Sequence, residues 1–230
     1  STNRVRGVDG RLKAPYEIRM IPNYFRAIPI AAEQTKFLLN DSEKKALLKL
    51  KYHGADGSVQ VSDDYRILER KSLKRVKEFI ISKVDQYKKD ILCIDNKLCL
   101  TQSWSTINKK GSQHHKHTHP NTFISLVYYV DCDENSGDLI FKTPRSSIQE
   151  GYYFNFKIIE NNEYNSSGWK FNTRPGYICI FPGQVEHYST PHQGDKDRII
   201  IGANFFVESA LGDYKGKVII FDYGMPKKLV

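Results

Sequence analysis

Leu98-Cys99-Leu100-Thr101-Gln102-Ser103-Trp104 marks the point where the hydrophobic period of the chain changes. Upstream, apolar residues recur every three or four positions. Here Leu98, Leu100, Gln102 and Trp104 alternate with their neighbours, the period-two signature of a strand. Further strands are expected over residues 123–130, 138–141, 152–158, 177–181, 198–207 and 217–223, each bounded by Gly, Pro, Asn or Asp punctuation.

Working back from Leu98, Asp41 and Ser42 offer an N-cap for a short helix running to about Tyr52, closed by Gly54 and Gly57. A second helix is expected behind Ser72, where Leu73, Val76, Ile80, Val84, Tyr87 and Ile91 fall on one face with lysines opposite. That face reads as core. Residues 1–20 carry Arg4, Arg6, Arg11 and Lys13 among glycines without periodicity, which suits an arm or an edge strand. Helices followed by about eight strands define an α+β chain dominated by a jelly roll or barrel. The expected organisation is a single domain over residues 1–230, with the arm and supporting helices in 1–97 and the β core in 98–223.

Composition sets the outer limits. A chain of 230 residues, 40% hydrophobic and 27% charged, has the balance of a folded domain and not of a disordered one. No run reaches the length of a membrane-spanning helix, and the polar start of the chain lacks a signal-peptide core, so a cytoplasmic location is expected. Cys93, Cys99, Cys132 and Cys179 are spaced too irregularly for a zinc knuckle and read as free thiols. The net charge of +9 permits an anionic partner. Its lysines are spread over the two helices, however, so nucleic-acid binding is not the favoured reading.

Six of the seven histidines lie between His114 and His192, four of them in Gln113-His-His-Lys-His-Thr-His-Pro120. In strand geometry His117 and His119 project to the same face with Cα atoms roughly 6.5–7 Å apart, so both imidazoles can converge on one metal. A solvated histidine-rich loop is the alternative for this segment alone, and imidazole suits iron, zinc, copper and nickel alike. His187, just after the apolar strand 177–181, offers a distant third ligand. A turn-rich stretch then leads into Arg198-Ile-Ile-Ile-Gly-Ala-Asn204, and a hairpin would bring Arg198 beside the strand of His187. Alternation puts Arg198 and Asn204 on one face, into the barrel. An inward arginine requires a counter-charge, which a bound dicarboxylate supplies.

Trp104, His117-Thr-His-Pro-Asn121, Ser125-Leu-Val-Tyr-Tyr129, Gly137-Asp-Leu-Ile-Phe141, Pro175-Gly-Tyr-Ile-Cys-Ile-Phe-Pro182, His187 and Arg198 to Phe205 resemble, in order and spacing, a prolyl-hydroxylase-like branch of the 2-oxoglutarate/iron(II) dioxygenase superfamily. The resemblance covers about residues 98–207. It implies a double-stranded β-helix (a cupin-like jelly roll) with supporting N-terminal helices, iron(II) on His117, His119 and His187, 2-oxoglutarate held by Arg198, and dioxygen as oxidant, with ascorbate as an assay reductant. It also implies hydroxylation of a protein side chain or a small molecule.

Two departures matter. The second ligand is His119 where relatives carry an acidic residue; pairing His115 with His117 is the alternative register, which the following Pro120-Asn121 disfavours. Ile200 stands where many relatives have a hydroxyl, so Tyr128 or Tyr129 is expected to donate that hydrogen bond instead, alternation allowing only one to face inward. Ser103, Trp104, Asn121 and Lys142 are further pocket candidates with ordinary structural roles as their alternative. A cupin-like metal protein without turnover and a three-histidine thiol dioxygenase remain the competing functions, and three histidines equally describe catalytic zinc.

Overall fold

The computed structural model describes residues 28–54, 59–142, 157–160, 168–208 and 211. The basic segment over residues 1–20, most of the expected strand 152–158 and the expected strand 217–223 lie outside the described residues.

The first helix, α1 (Asp41–Leu48), is capped one residue earlier than the sequence suggested. Asn40 Oδ1 accepts from the Glu43 backbone N–H at 2.9 Å, and the Glu43 carboxylate accepts from the Asn40 N–H at 2.8 Å. This reciprocal box satisfies two of the N–H groups that a helix start leaves open. The helix stops at Leu48, short of the expected Tyr52, because Tyr52–His53 instead forms the strand β2, paired with β3 (Val59–Ser62).

The second helix, α2 (Lys74–Tyr87), follows a 3₁₀ turn at Lys71–Leu73 and buries Val76, Ile80, Val84 and Tyr87 as the periodicity requires. Ile91 does not join them. A π-helical turn over Lys88–Leu92 winds the backbone wider than 3.6 residues per turn, which rotates Ile91 off the buried face and leaves it 47% exposed.

Eight further strands complete the fold: β1 (Ala31–Gln34), β4 (Leu98–Asn108), β5 (Ile124–Asp131), β6 (Leu139–Lys142), β7 (Gly168–Phe171), β8 (Tyr177–Pro182), β9 (His187–Ser189) and β10 (Arg198–Val207). Seven strands form one antiparallel sheet in the order β1-β8-β5-β10-β4-β3-β2, and β7-β6-β9 form a second. The two sheets face each other as the walls of a double-stranded β-helix.

Alternation sorts the side chains of the large sheet into two cores. Ile124, Leu126, Tyr128 and Val130 of β5, with Ile178, Ile180, Ile201, Ala203 and Phe205, pack with the buried face of α2. Val127 and Tyr129, with Cys179 and Phe181, face Leu139 and Phe141 of the small sheet. Every residue of β5 from Ile124 to Val130 is therefore buried, which explains why its sequence is apolar but for Ser125 instead of alternating.

Candidate active site

The inner face of the large sheet meets the small sheet at a cavity whose wall includes Trp104, Thr106 and Asn108 of β4, Tyr129 of β5 and Arg198, Ile200 and Gly202 of β10. Registry explains the grouping: Arg198 pairs with Asn108, Ile200 with Thr106 and Gly202 with Trp104, so three successive inward rows are built from the same two strands. Gly202 is required by this packing. A Cβ there would sit 2.4 Å from the Trp104 indole, which covers the glycine and lies 5.5 Å, centroid to centroid, from the His119 ring.

His117, His119 and His187 line the same cavity, and one ring nitrogen of each lies within 4.8 Å of the others. Backbone pairing brings them together. His117 and His187 exchange two N–H···O=C bonds of 3.0 Å in an isolated antiparallel bridge, extending the small sheet beside β9, and the His119 N–H donates to the Gly183 carbonyl at 2.8 Å. His115, the alternative in the other register, is exposed and outside this group.

The histidine chemistry fits a metal. The Nδ1 atoms of His117 and His187 lie 2.8 and 2.9 Å from the carbonyls of His115 and Val185. A carbonyl only accepts, so both rings carry their proton on Nδ1 and present a free lone pair at Nε2. The Nε2 atoms of His119 and His187 are 3.3 Å apart. Two nitrogens each about 2.1 Å from one ion, at cis angles between octahedral and tetrahedral, stand about 3.0–3.4 Å apart, so this separation suits a shared ion. Burial, reinforced by the neighbouring imidazoles, pushes His119 down to about 3; burial also takes His187 down to about 4 and lowers His117. The rings are neutral at ordinary pH, as ligation requires. No carboxylate joins the group among the described residues.

Arg198 lines the same cavity. It is 2% exposed, and its guanidinium donates to the Ser136 carbonyl at 2.6 Å and to the Ser189 hydroxyl at 2.8 Å. Burial lowers its affinity for the proton, yet no carboxylate pairs with it among the described residues. Gly137 makes the approach of the Ser136 turn feasible: with φ of +82°, it would place a Cβ 2.5 Å from the Thr190 carbonyl and 3.1 Å from Arg198 Nη1. A buried cation whose only partners are neutral oxygens is a prepared anion site.

Several expectations from sequence land elsewhere. β9 and β10 do not form a hairpin. They belong to opposite sheets, and the Arg198 side chain crosses the interior to reach Ser189. Tyr129 faces the cavity, whereas Tyr128 points to the helix layer and donates its hydroxyl to the Phe37 carbonyl at 2.7 Å. Asn204 shares the inward face of β10 but is occupied beyond the cavity, accepting from Ser125 Oγ and donating to Gln102 Oε1, each at 2.9 Å. Ser103 lies on the outer face of β4, where its hydroxyl accepts from the Leu68 N–H at 3.0 Å. Asn121 is an exposed turn residue with φ of +56°, and Lys142 is exposed at the end of β6.

Sequence reasoning missed Thr106, Asn108 and His114 in the cavity wall. The first two were within reach, since the alternation that placed Trp104 inward continues to positions 106 and 108. His114 was counted in the cluster without a role. Its ring lies 4.5 Å from that of His117, and burial, reinforced by the neighbouring imidazoles and Arg198, takes it down to about 3.

Fold and cavity together define a class, a double-stranded β-helix protein with three histidines converging inside it. Residues 102–204 match the family model described as "Putative 2OG-Fe(II) oxygenase". That stretch carries the three histidines and Arg198, so over it the chain is similar to the 2-oxoglutarate/iron(II) oxygenases. No curated protein matches the chain by sequence. Among solved structures, the epimerase SnoN from nogalamycin biosynthesis is 15% identical, with 81% of this chain and 82% of that chain covered at a TM-score of 0.55. HygX from Streptomyces hygroscopicus, solved with nickel, 2-oxoglutarate and hygromycin B, is 10% identical, with coverage of 77% and 82% and a TM-score of 0.52. An oxidoreductase of the 2OG-Fe(II) oxygenase family from Burkholderia pseudomallei is 8% identical, with coverage of 70% and 74% and a TM-score of 0.51. At such identities the likeness speaks for the fold alone.

Proposed function

We propose that the protein hydroxylates a protein side chain or a small molecule, with iron(II) on His117, His119 and His187 and 2-oxoglutarate anchored by Arg198 and Tyr129. One observation carries this reading: the cavity that holds the three histidines also holds a guanidinium that is 2% exposed and has no carboxylate partner among the described residues. Three neutral ligands leave the full charge of the metal uncompensated, and a dianionic co-substrate neutralises both it and Arg198.

Within this reading the metal supplies oxidative decarboxylation of 2-oxoglutarate, coupled to oxidation of the bound substrate. The protein supplies position and exclusion of water. The His115 and Val185 carbonyls hold two imidazoles in the ligating tautomer. Ser136 and Ser189 fix the guanidinium so that it meets an incoming carboxylate without first ordering itself. Trp104, beside His119, forms a flat apolar wall against which a substrate can lie.

SnoN, an epimerase, and HygX, solved with hygromycin B, share this fold, so the fold itself does not restrict the substrate to a protein. The all-histidine donor set favours one second reading, a thiol dioxygenase that uses no 2-oxoglutarate. Succinate release from 2-oxoglutarate by the iron(II)-loaded protein with ascorbate under air separates the two. Release supports the proposal; no release, with no 2-oxoglutarate bound by the metal-loaded protein, refutes it.

A further inference from the structure

Thr106 is fully buried in the cavity wall, and its hydroxyl is without a hydrogen-bond partner among the described residues. It is the sole buried side-chain N or O atom in this condition among them. A buried hydroxyl left unpaired is unfavourable, because it has given up water and received nothing in exchange. Such a group in a cavity wall is most simply understood as a partner awaiting a ligand.

Its position indicates which ligand. Thr106 pairs across β10 with Ile200, and Ile200 pairs on its other side with Tyr129, so one row of three strands reads Thr106-Ile200-Tyr129. The aliphatic residue at the centre is flanked by two hydroxyl-bearing side chains, both lining the cavity. Arg198 stands one inward row away, opposite Asn108, as a diagonal neighbour of Thr106, about 7–8 Å distant at the backbone. A guanidinium without a counter-charge and an orphan hydroxyl on adjoining rows of one wall present complementary donors to a carboxylate, which has lone pairs for both.

We propose that Thr106 donates its hydroxyl hydrogen bond to the distal carboxylate of 2-oxoglutarate, completing from β4 the anion site whose charge Arg198 provides. The inference rests on the co-substrate reading of Arg198. It makes Thr106 a binding residue that discriminates a dicarboxylate from a 2-oxo acid with an apolar tail.

The test is calorimetric titration of the nickel-loaded protein, which cannot turn over, with 2-oxoglutarate and with 2-oxovalerate, which lacks the distal carboxylate. Thr106→Val removes the hydroxyl at nearly constant shape. It is expected to weaken 2-oxoglutarate binding about tenfold or more, the effect of losing a hydrogen bond to a charged group. Binding of 2-oxovalerate should be unchanged, and Thr106→Ser should restore 2-oxoglutarate affinity. The ligand-free variant should melt no lower than the parent, since an unpaired buried hydroxyl has been removed. Equal 2-oxoglutarate affinity in Thr106→Val and the parent, with Arg198→Ala still weakened, overturns the role of Thr106 alone. Absence of 2-oxoglutarate binding in the parent overturns the co-substrate reading and this inference together. Equal weakening for both 2-oxo acids assigns Thr106 a merely structural role and also overturns it.

Discussion

Replacing Arg198 by Met isolates the charge on which the co-substrate site depends, because Met approximates the arginine stem and fills the interior without a donor. The structure gives opposite expectations for binding and for stability. For binding, a fully desolvated charge partner is lost, an effect of about 2–5 kcal/mol. That corresponds to roughly thirty-fold to several-thousand-fold weaker 2-oxoglutarate affinity. For the ligand-free protein, the variant loses two hydrogen bonds, to the Ser136 carbonyl and the Ser189 hydroxyl, leaving those acceptors without this donor at about 1–3 kcal/mol each. It also relieves the burial of an unpaired cation, worth several kcal/mol in the other direction. These terms nearly cancel, so the melting temperature should move by less than about 8 °C in either direction. Titration of nickel-loaded protein with 2-oxoglutarate, alongside metal analysis and thermal melting, provides all three quantities. Near-parental metal content and stability with a large affinity loss is the expected outcome. Unchanged 2-oxoglutarate affinity refutes the reasoning, whatever the stability does.

Further outcomes follow from other contacts. Tyr129→Phe should weaken 2-oxoglutarate binding several-fold with little change in melting, whereas Tyr128→Phe, which loses only the bond to Phe37, should lower stability by about 1 kcal/mol and leave affinity intact; the reverse pattern in paired titrations and melts would exchange their assignments. Gly202→Ala forces a methyl into the Trp104 indole and should destabilise the protein by about 1–3 kcal/mol, visible in denaturant titrations, with altered tryptophan fluorescence; a silent substitution would show that the indole is not packed as described. Glu43 supplies a pH signature. Burial pushes its carboxyl up, but hydrogen bonds from Arg75 and the Asn40 N–H, with the Arg75 charge, outweigh this and hold it below the usual carboxylate range. A lowered folded pKa means the contribution is present above the unfolded value and is lost as pH falls through the folded one. Stability measured from neutral pH down through the acid range should therefore fall less steeply in Glu43→Gln than in the parent, and parallel curves would contradict the assignment.

Much of the β core was legible in the sequence because its signals are local. The span of β10 was read to the residue, and β5, β6 and β8 to within a residue or so at each end, since turn residues bound them and their faces are fixed by alternation. The short strands β1, β2, β3, β7 and β9 were not expected, because at two to four residues their pairing is decided by neighbours far away in the chain. The misplacement of Ile91 has a similar cause: a π turn breaks the helical phase without leaving a residue type that announces it. Period two put alternate histidines on one face, while the choice of His117 and His119 over His115 and His117 rested on the following Pro120-Asn121. The choice between Tyr128 and Tyr129, by contrast, depended on which face of β5 meets the helices. Thr106 lay on a face already assigned, and only the three-dimensional structure reveals that its hydroxyl has no partner among the described residues.

The central claim is that His117, His119 and His187 together hold one iron, and iron(II) stoichiometry across single alanine variants tests it most directly. Measured anaerobically, the parent and His115→Ala are expected to bind one iron per chain, while His117→Ala, His119→Ala and His187→Ala each lose most of it. Full iron binding by His119→Ala, or its loss in His115→Ala, would contradict the three-histidine site.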